Sequence, residues 1–185
     1  MDPVDPVSLA RQLIDIDSTT GREAEVAAVL TMYLRDRGYS VLEQPLKNGR
    51  TNVIAAAGDP HLVFSTHFDC VPPFFPSRLE GDLLYGRGAC DAKGILAAQV
   101  AAAERLRAAG EMRVGLVFVA GEERGSDGAA AANQIASPSK FLTTASPRTI
   151  GWGRPPAASC ASRSSQRAVR PIRDIRSLVN RPSKS

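Results

Sequence analysis

The alternation of short apolar runs with a long helical pattern constrains the fold of this chain more than any other feature. The runs Leu62–Thr66 and Arg113–Ala120 have the length and apolar character of buried strands, and the Ala-rich segment Ala92–Ala109 between them has the composition of a helix. Strands that alternate with helices favour a layered domain in which many strands are parallel. We therefore predict an α/β fold with a mixed, largely parallel sheet.

Shorter patterns on either side fit the same plan. We predict helices over Ser8–Asp15, from a cap at Thr19 or Thr20 to about Arg37, and over Ser126–Ile135, and strands over Tyr39–Gln44, Asn52–Ala56 and Leu83–Tyr85. Glycines that follow the helical patterns, Gly38 and Gly110, mark where helices end.

The composition changes after Leu142. Residues 143–185 contain eight Arg and one Lys against a single Asp, together with eight Ser, five Pro and no Glu. The whole chain carries a net charge of +4, so residues 1–142 are acidic on their own. We predict two regions, a folded domain over 1–142 and a basic, disordered tail over 143–185. The overall basic charge therefore does not indicate a nucleic-acid-binding domain.

The cysteines and the N-terminus bear on location. Cys70, Cys90 and Cys160 have no paired spacing, the first residues do not form a signal peptide, and no apolar run is long enough to span a bilayer. These features predict a cytoplasmic protein with reduced thiols and no membrane partner.

The first segment that suggests chemistry follows Leu62–Thr66 directly. It contains S-T-H-F-D, with His67 and Asp69 two positions apart. Side chains alternate across an extended chain, so both point to the same side. This arrangement suits an imidazole metal ligand held by a carboxylate. A strand-end histidine beside an exposed aspartate is the alternative that this motif alone leaves open.

The second segment is a glycine-rich loop, G-R-G-A-C-D-A-K-G, that leads into the Ala-rich helix. Its glycines allow the backbone to approach a bound group closely. Their spacing matches neither the phosphate-binding P-loop nor the dinucleotide fingerprint. Asp91 in this loop suits a metal ligand and equally suits a helix N-cap, which is the commoner role of an aspartate at that position.

The third segment, A-G-E-E-R-G-S, follows the second apolar run. The adjacent side chains of Glu122 and Glu123 point in different directions, so one carboxylate can bind a metal while the other acts as a general base. An acidic pair at a surface turn is the alternative.

All three segments lie in loops that follow predicted strands. In open α/β sheets the ligand-binding crevice lies at the carboxyl ends of the strands. His67, Asp91 and Glu123 offer nitrogen and oxygen ligands that suit zinc, and no thiol is required. The coincidence of the three segments favours one metal site over three unrelated polar loops.

In order and spacing, S-T-H-x-D, G-R-G-x-x-D-x-K-G and G-E-E-x-G-S resemble the acetylornithine deacetylase / succinyl-diaminopimelate desuccinylase / carboxypeptidase G family of dinuclear zinc metallopeptidases. The resemblance covers about residues 5–142. It implies part of a three-layer catalytic domain, without the family's lid and dimerisation domain. Cys70 departs from the usual Thr, and Cys90 precedes Asp91, but neither stands at an implied ligand position.

The resemblance also implies a role for each site residue. His67 would bind one metal, Glu123 would bind the second, and Asp91 would bridge both. Glu122 would be the general base that deprotonates the attacking water, and Asp69 would orient His67. The peptide bond after Asp91 is often cis in this family.

The activity implied by the resemblance is metal-dependent hydrolysis of carbon–nitrogen bonds in N-acyl amino acids or peptides, as by the deacetylases of amino-acid biosynthesis. Two Zn²⁺ or Co²⁺ ions are the implied cofactors, and a small N-acyl amino acid or peptide is the implied substrate. Family members are often homodimers, but they dimerise through the domain that has no counterpart here.

Two further metal ligands of the family are missing from the 185 residues. One is an acidic residue in a G-E-P-T stretch and the other is a histidine near the C-terminus. This chain has only His61 and His67, and no Glu follows Glu123. We therefore expect weakened metal binding and an inactive or impaired fragment.

A change of reading frame would explain the missing ligands. Shifted by one base, the codons of Thr144–Ile150 can encode N-G-E-P-T-D-N, and those of Arg170–Ser183 can encode a segment with the A-x-H-S pattern of the family's histidine. We predict that a single-base deletion near codon 143, in the gene or in its sequence record, produced the tail. A genuine basic tail is the alternative.

Two other classes of function remain open. One is a non-catalytic module that only binds a ligand in its acidic pocket. The other is a nucleic-acid binder that uses the Arg-rich tail. Pro171 interrupts the helix on which the tail's arginines would align, and Trp152 is the only aromatic side chain there for base stacking. We therefore do not expect nucleic acid as a partner.

Overall fold

The computed structural model describes residues 2–135, 139–145 and 170–171. Its helices are α1 (Pro6–Ile14), α2 (Ala24–Asp36), α3 (Lys93–Ala108) and α4 (Asp127–Ala132). Its strands are β1 (Ser40–Pro45), β2 (Thr51–Ala56), β3 (Leu62–His67), β4 (Arg78–Glu80), β5 (Leu83–Tyr85), β6 (Val114–Val119), β7 (Phe141–Thr144) and β8 (Arg170–Pro171). Short 3-10 turns lie at Lys47–Gly49 and Glu122–Arg124.

Six of the strands form one mixed sheet in the order β1-β2-β6-β3-β7-β8, and β4 and β5 form a separate hairpin. The central strands β6, β3 and β7 are parallel, whereas β1 and β2 are antiparallel to their neighbours. The predicted α/β class with a mixed sheet is confirmed, and the parallel part is the centre of the sheet.

Helices cover both faces of this sheet. The connection from β3 through α3 to β6 and the connection from β6 through α4 to β7 cross the sheet in opposite directions. Since such crossovers are right-handed, α3 and α4 lie on opposite faces. Helix α1 packs against α3, and α2 packs against β1 and β2. The result is part of a three-layer α/β domain.

The main hydrophobic core lies between the sheet and helices α1, α2 and α3. Alternate residues of the strands, among them Val53, Leu116 and Phe118, are fully buried there against helix residues such as Leu30 and Leu96. Each fully buried side chain of this size contributes about 1.5–3 kcal/mol to folding. This packing holds the central strands that carry the polar loops.

Most predicted elements agree with the structure to within two residues, but two predictions were wrong in detail. Helix α4 ends at Ala132 instead of Ile135, because Gly128 is its only buried residue and little apolar burial stabilises further turns. Helix α2 begins after Glu23, and neither Thr19 nor Thr20 caps it.

The predicted boundary after Leu142 falls within β7, which continues to Thr144 and pairs with β3. Most of the predicted tail lies outside the described residues, so its disorder stays a prediction. Among the described helices, none has the length and apolarity needed to cross a membrane.

Candidate metal centre

Three segments of the chain meet where β3 and β6 end. The two strands pair in register with His67 opposite Val119, so their carboxyl ends lie at one level of the sheet. His67 is the last residue of β3, the turn that begins with Glu122 follows β6, and Asp91 lies just before α3. Strand pairing therefore brings together residues that are far apart in sequence.

The side chains at this edge lie close enough to share a ligand. The Nε2 atom of His67 is 3.0 Å from Asp91 Oδ1 and 3.9 Å from Glu122 Oε2. One potential ligand atom from each of His67, Asp91 and Glu123 lies within 4.8 Å of the other two. His67 is buried, Asp91 and Glu123 are half-buried, and Glu122 is exposed. The predicted ligand atoms thus form a cluster that is open on the side of Glu122.

Asp69 connects the histidine of the cluster with the turn that carries its two glutamates. Its carboxylate is fully buried and lies 3.3 Å from His67 Nδ1, which is also 3.0 Å from the Asp69 carbonyl oxygen. The same carboxylate accepts hydrogen bonds from the backbone N–H groups of Glu122 and Glu123 and from the Thr20 hydroxyl. One buried side chain therefore fixes both the imidazole and the acidic turn.

Both nitrogens of the His67 ring face oxygen acceptors, which determines where its protons lie. Nδ1 faces the carbonyl and carboxylate of Asp69, and Nε2 faces Asp91. Burial lowers the pKa of His67, but the hydrogen bonds to Asp69 and Asp91 outweigh burial and raise the pKa to about 10. The acceptors thus favour a positive charge at Nε2, and a metal cation at that nitrogen would satisfy the same preference.

The carboxylates respond to their surroundings in opposite ways. Burial raises the pKa of Asp69, but His67 and the two backbone amides outweigh it and hold that pKa below its usual range. Burial, followed by the negative charge of Asp91, raises the pKa of Glu123. Crowded carboxylates around an imidazole nitrogen form a donor set that suits a divalent metal such as zinc.

Asp91 is not the cap of α3. The N-cap residue is Ala92, with no side-chain hydrogen bond to the helix, and the Asp91 carboxylate faces His67 instead. The Asp91–Ala92 peptide is cis, as the family resemblance implied. A side chain at Gly94 would collide with the carbonyl of Ala89, so the glycine-rich loop folds tightly before the helix.

Several residues around the site were not found from the sequence. The Thr20 hydroxyl, interpreted as a helix cap, donates to Asp69. Lys93 is buried, and its Nζ donates to the carbonyls of Leu13 and Ile16, which attaches the end of α1 to the loop that carries Asp91. A lysine and a threonine are common on protein surfaces, so their types gave no signal of these roles.

The chain's other histidine lies outside the site. His61 precedes β3, at the opposite end of that strand, where its ring packs against Phe141 with centroids 5.7 Å apart. All five residues singled out by sequence, by contrast, meet at the carboxyl edge.

Comparison with known proteins finds a family whose profile matches the region of the cluster. The profile of Peptidase family M20/M25/M40 matches residues 63–150, a range that includes the whole polar cluster at the sheet edge apart from Thr20. A probable carboxypeptidase of Aspergillus clavatus is 35% identical over 154 residues, which cover 74% of this chain and 37% of that protein. The chain spans between 30% and 38% of the length of the first curated relatives.

Solved structures share the fold. The aminopeptidase PepT of Bacillus cereus superposes with a TM-score of 0.61 at 26% identity, over 75% of this chain and 42% of that one. An M20 family metallo-carboxypeptidase of Sulfolobus solfataricus superposes with a TM-score of 0.62 at 23% identity, over 78% of this chain and 37% of that one. The described residues therefore match part of a peptidase catalytic domain.

Proposed function

We propose that this chain carries part of the catalytic site of a metal-dependent peptide-bond hydrolase of the M20 peptidase family, whose profile matches residues 63–150. The observation that carries the proposal is the convergence of ligand atoms from His67, Asp91 and Glu123 within 4.8 Å. The buried carboxylate of Asp69 behind His67 supports the same conclusion.

The residues present fit a zinc or cobalt centre. Nε2 of His67 and the carboxylates of Asp91 and Glu123 would hold the metal. A bound divalent cation would polarise the scissile carbonyl and make water more acidic. Asp69 keeps the Nδ1 proton on His67, so that Nε2 presents its lone pair to the cation.

Glu122 is the proposed general base. Its carboxylate is half exposed, and Oε2 lies 3.9 Å from His67 Nε2, at the open side of the cluster. From there it can accept the proton of the attacking water and later donate it to the leaving amine nitrogen. Its backbone N–H is held by Asp69, so the position of the base depends on the same buried carboxylate.

The proposed substrate is an amide beside a carboxylate group. The name of one relative, a probable carboxypeptidase, favours a peptide. The motif spacing that resembles the deacetylase and desuccinylase branch favours N-acyl amino acids such as N-acetylornithine or succinyl-diaminopimelate. Peptides and N-acyl amino acids both contain an amide bond on which Glu122 could act. An activity assay with a panel of both substrate classes would therefore decide between them.

We propose that these 185 residues by themselves bind metal more weakly than they would together with the two further ligands that the family resemblance implies. The resemblance requires two further ligands, which the sequence as read does not supply. The deletion near codon 143 remains our explanation, although the family match runs to residue 150. Sequencing of the genomic DNA tests it: a shifted frame without G-E-P-T would refute it.

Metal titration of the full chain tests the proposed function. We expect Co²⁺ or Zn²⁺ binding that the His67→Ala substitution weakens by about 100-fold or more and that His61→Ala leaves unchanged, since His61 lies at the other end of β3. We expect Glu122→Gln to retain metal and to abolish the residual hydrolysis that the wild-type chain shows on a panel of peptides and N-acyl amino acids. A wild-type chain that binds no metal, and is indifferent to Glu122→Gln, would instead be a non-catalytic binding module.

A further inference from the structure

Arg50 makes contacts that nothing in the proposed chemistry explains. It lies just before β2, and its side chain is only 11% exposed. Its Nη1 donates to Asp127 Oδ1 at 3.1 Å and its Nη2 donates to Asp127 Oδ2. A two-pronged pair of this kind fixes the orientation of both groups more firmly than a single ion pair. Arg50 thereby holds the first residue of α4.

This ion pair packs directly on the backbone that leads into the acidic turn. Gly121 immediately precedes Glu122 and has φ +73°. A Cβ atom at Gly121 would lie 2.5 Å from Arg50 Nη1 and would collide with Asp127 Oδ1. The carbonyl of Gly121 accepts the N–H of Ser126 at 2.9 Å, which closes the turn. The Asp69 carboxylate therefore holds the turn through the turn's backbone amides, and the Arg50–Asp127 pair holds it at Gly121.

Arg50 also faces a buried carboxylate. Glu23 is fully buried, and its Oε1 atom makes no hydrogen bond within the described residues. That atom lies 3.8 Å from Arg50 Nη1, while Oε2 accepts the N–H of Gly21. Thr20, the neighbour of Gly21, donates to Asp69. The guanidinium thus links the segment that supports Asp69 with the segment that carries Glu122 and Glu123.

We propose that Arg50 is a positioning residue which, together with Asp127, sets the path of the Glu122–Glu123 turn and so the placement of its carboxylates for metal binding and proton transfer. The inference rests on the roles proposed above for those two glutamates. Arg50 itself is neither a proposed metal ligand nor the proposed base. Lysine cannot replace it, because an ammonium lacks the planar fork that spans both oxygens of Asp127.

Cobalt binding to the full chain tests this inference. We expect Arg50→Lys to weaken Co²⁺ affinity by about 10–100-fold, as loss of a residue that orients a ligand does, and to change the visible absorption spectrum of the bound Co²⁺. The matched control is Arg35→Lys, the same substitution in an exposed pair with Glu43, which should change neither. The thermal midpoint and circular dichroism of each metal-free variant are measured in parallel.

Asp127→Asn provides the second variant. The Asp127 side chain is 45% exposed, so this change leaves the fold intact even if Arg50→Lys does not. We expect the same loss of affinity, and a double variant no worse than either single one, because both remove the same contact. Variants that lose thermal stability but bind Co²⁺ with wild-type affinity and spectrum would overturn the positioning role. Failure of the wild-type chain to bind Co²⁺ would overturn the proposed function itself, and this inference with it.

Discussion

The ends of β3 and β6 lie side by side in the sheet but hold their functional groups in different ways. At the β3 end, the side chains themselves are fixed: His67 is buried and both ring nitrogens are hydrogen-bonded. At the β6 end, the backbone is fixed: Asp69 binds the N–H groups of Glu122 and Glu123, while the Glu122 carboxylate is half exposed.

The difference teaches how one site can combine a rigid ligand with a movable base. A metal ligand benefits from a side chain that is already oriented before the ion binds. A general base has to accept a proton and release it elsewhere, which requires some freedom of its carboxylate. The two strand ends supply these properties separately, and Asp69 is the residue they share.

Asp69→Asn should have the largest effect, because it removes the charge on which both ends depend. A buried group that loses its charged partner costs about 3–5 kcal/mol. We expect the free energy of unfolding in urea to fall by about that amount, and metal affinity to fall with it. The exposed Asp59→Asn is the control. A variant as stable as the control would show that the two ends are held independently.

A pH titration of the metal-free chain addresses the β3 end alone. The pKa of His67, about 10, lies above the ordinary value of 6.5, so folding favours the protonated imidazole. The resulting stabilisation is complete below about pH 6.5 and is lost as the pH rises through the folded-state pKa. We expect urea unfolding to show stability that declines from about pH 6.5 to about pH 10 with the slope of one proton. His67→Ala should lack this slope. If that variant retained the slope, the pH dependence of stability would come from another titratable group.

Gly121→Ala addresses the β6 end. The added Cβ would meet the Arg50–Asp127 pair, and overpacking of this kind costs about 1–3 kcal/mol. Gly125→Ala is a matched control, because Gly125 also has a positive φ but a methyl group there would have no atom within 4 Å. Both substitutions strain the backbone, but we expect only Gly121→Ala to weaken Co²⁺ binding as well. Equal effects of the two substitutions would mean that strain alone is responsible.

Thr20→Val should have the smallest effect, since it removes one of several donors to Asp69. A single hydrogen bond of this kind contributes about 1 kcal/mol. We expect a loss of that size in unfolding free energy and a slight reduction in metal affinity. Thr20→Ser keeps the hydroxyl and should restore both, which a role in packing of the Thr20 methyl group would not predict.

The sequence singled out the five site residues and predicted β1, β2, β3, β5 and β6 because each had a local signal, but it did not predict β4, β7 and β8. Buried strands appear as short apolar runs, and His67 and Glu123 follow such runs, whereas Asp91 follows β5, a largely exposed strand of the separate hairpin. The ends of the parallel strands β3 and β6 meet at one edge, so the approach of His67 to Glu123 could be predicted from strand order, whereas the place of Asp91 depended on the motif of the glycine-rich loop.

What the sequence did not predict depends on contacts between distant segments. Arg50 and Asp127 are 77 positions apart, and neither residue type is unusual in a loop. The side chain of Asp91 suited a helix cap as well as a ligand, and only its position opposite His67 decided between them. Thr20 was misassigned for the same reason, because a hydroxyl before a helix usually caps it.

The hydrogen bonds from Glu122 and Glu123 to Asp69 span 53 and 54 positions of the chain. Contacts of such long range form late, after the intervening segment has folded and the strands have paired. The cluster of potential metal ligands therefore cannot form in a partly folded chain in which only local helices have formed. Bound cobalt would serve as a reporter of completed folding, and the rate at which its colour develops on refolding would measure how fast β3 and β6 align.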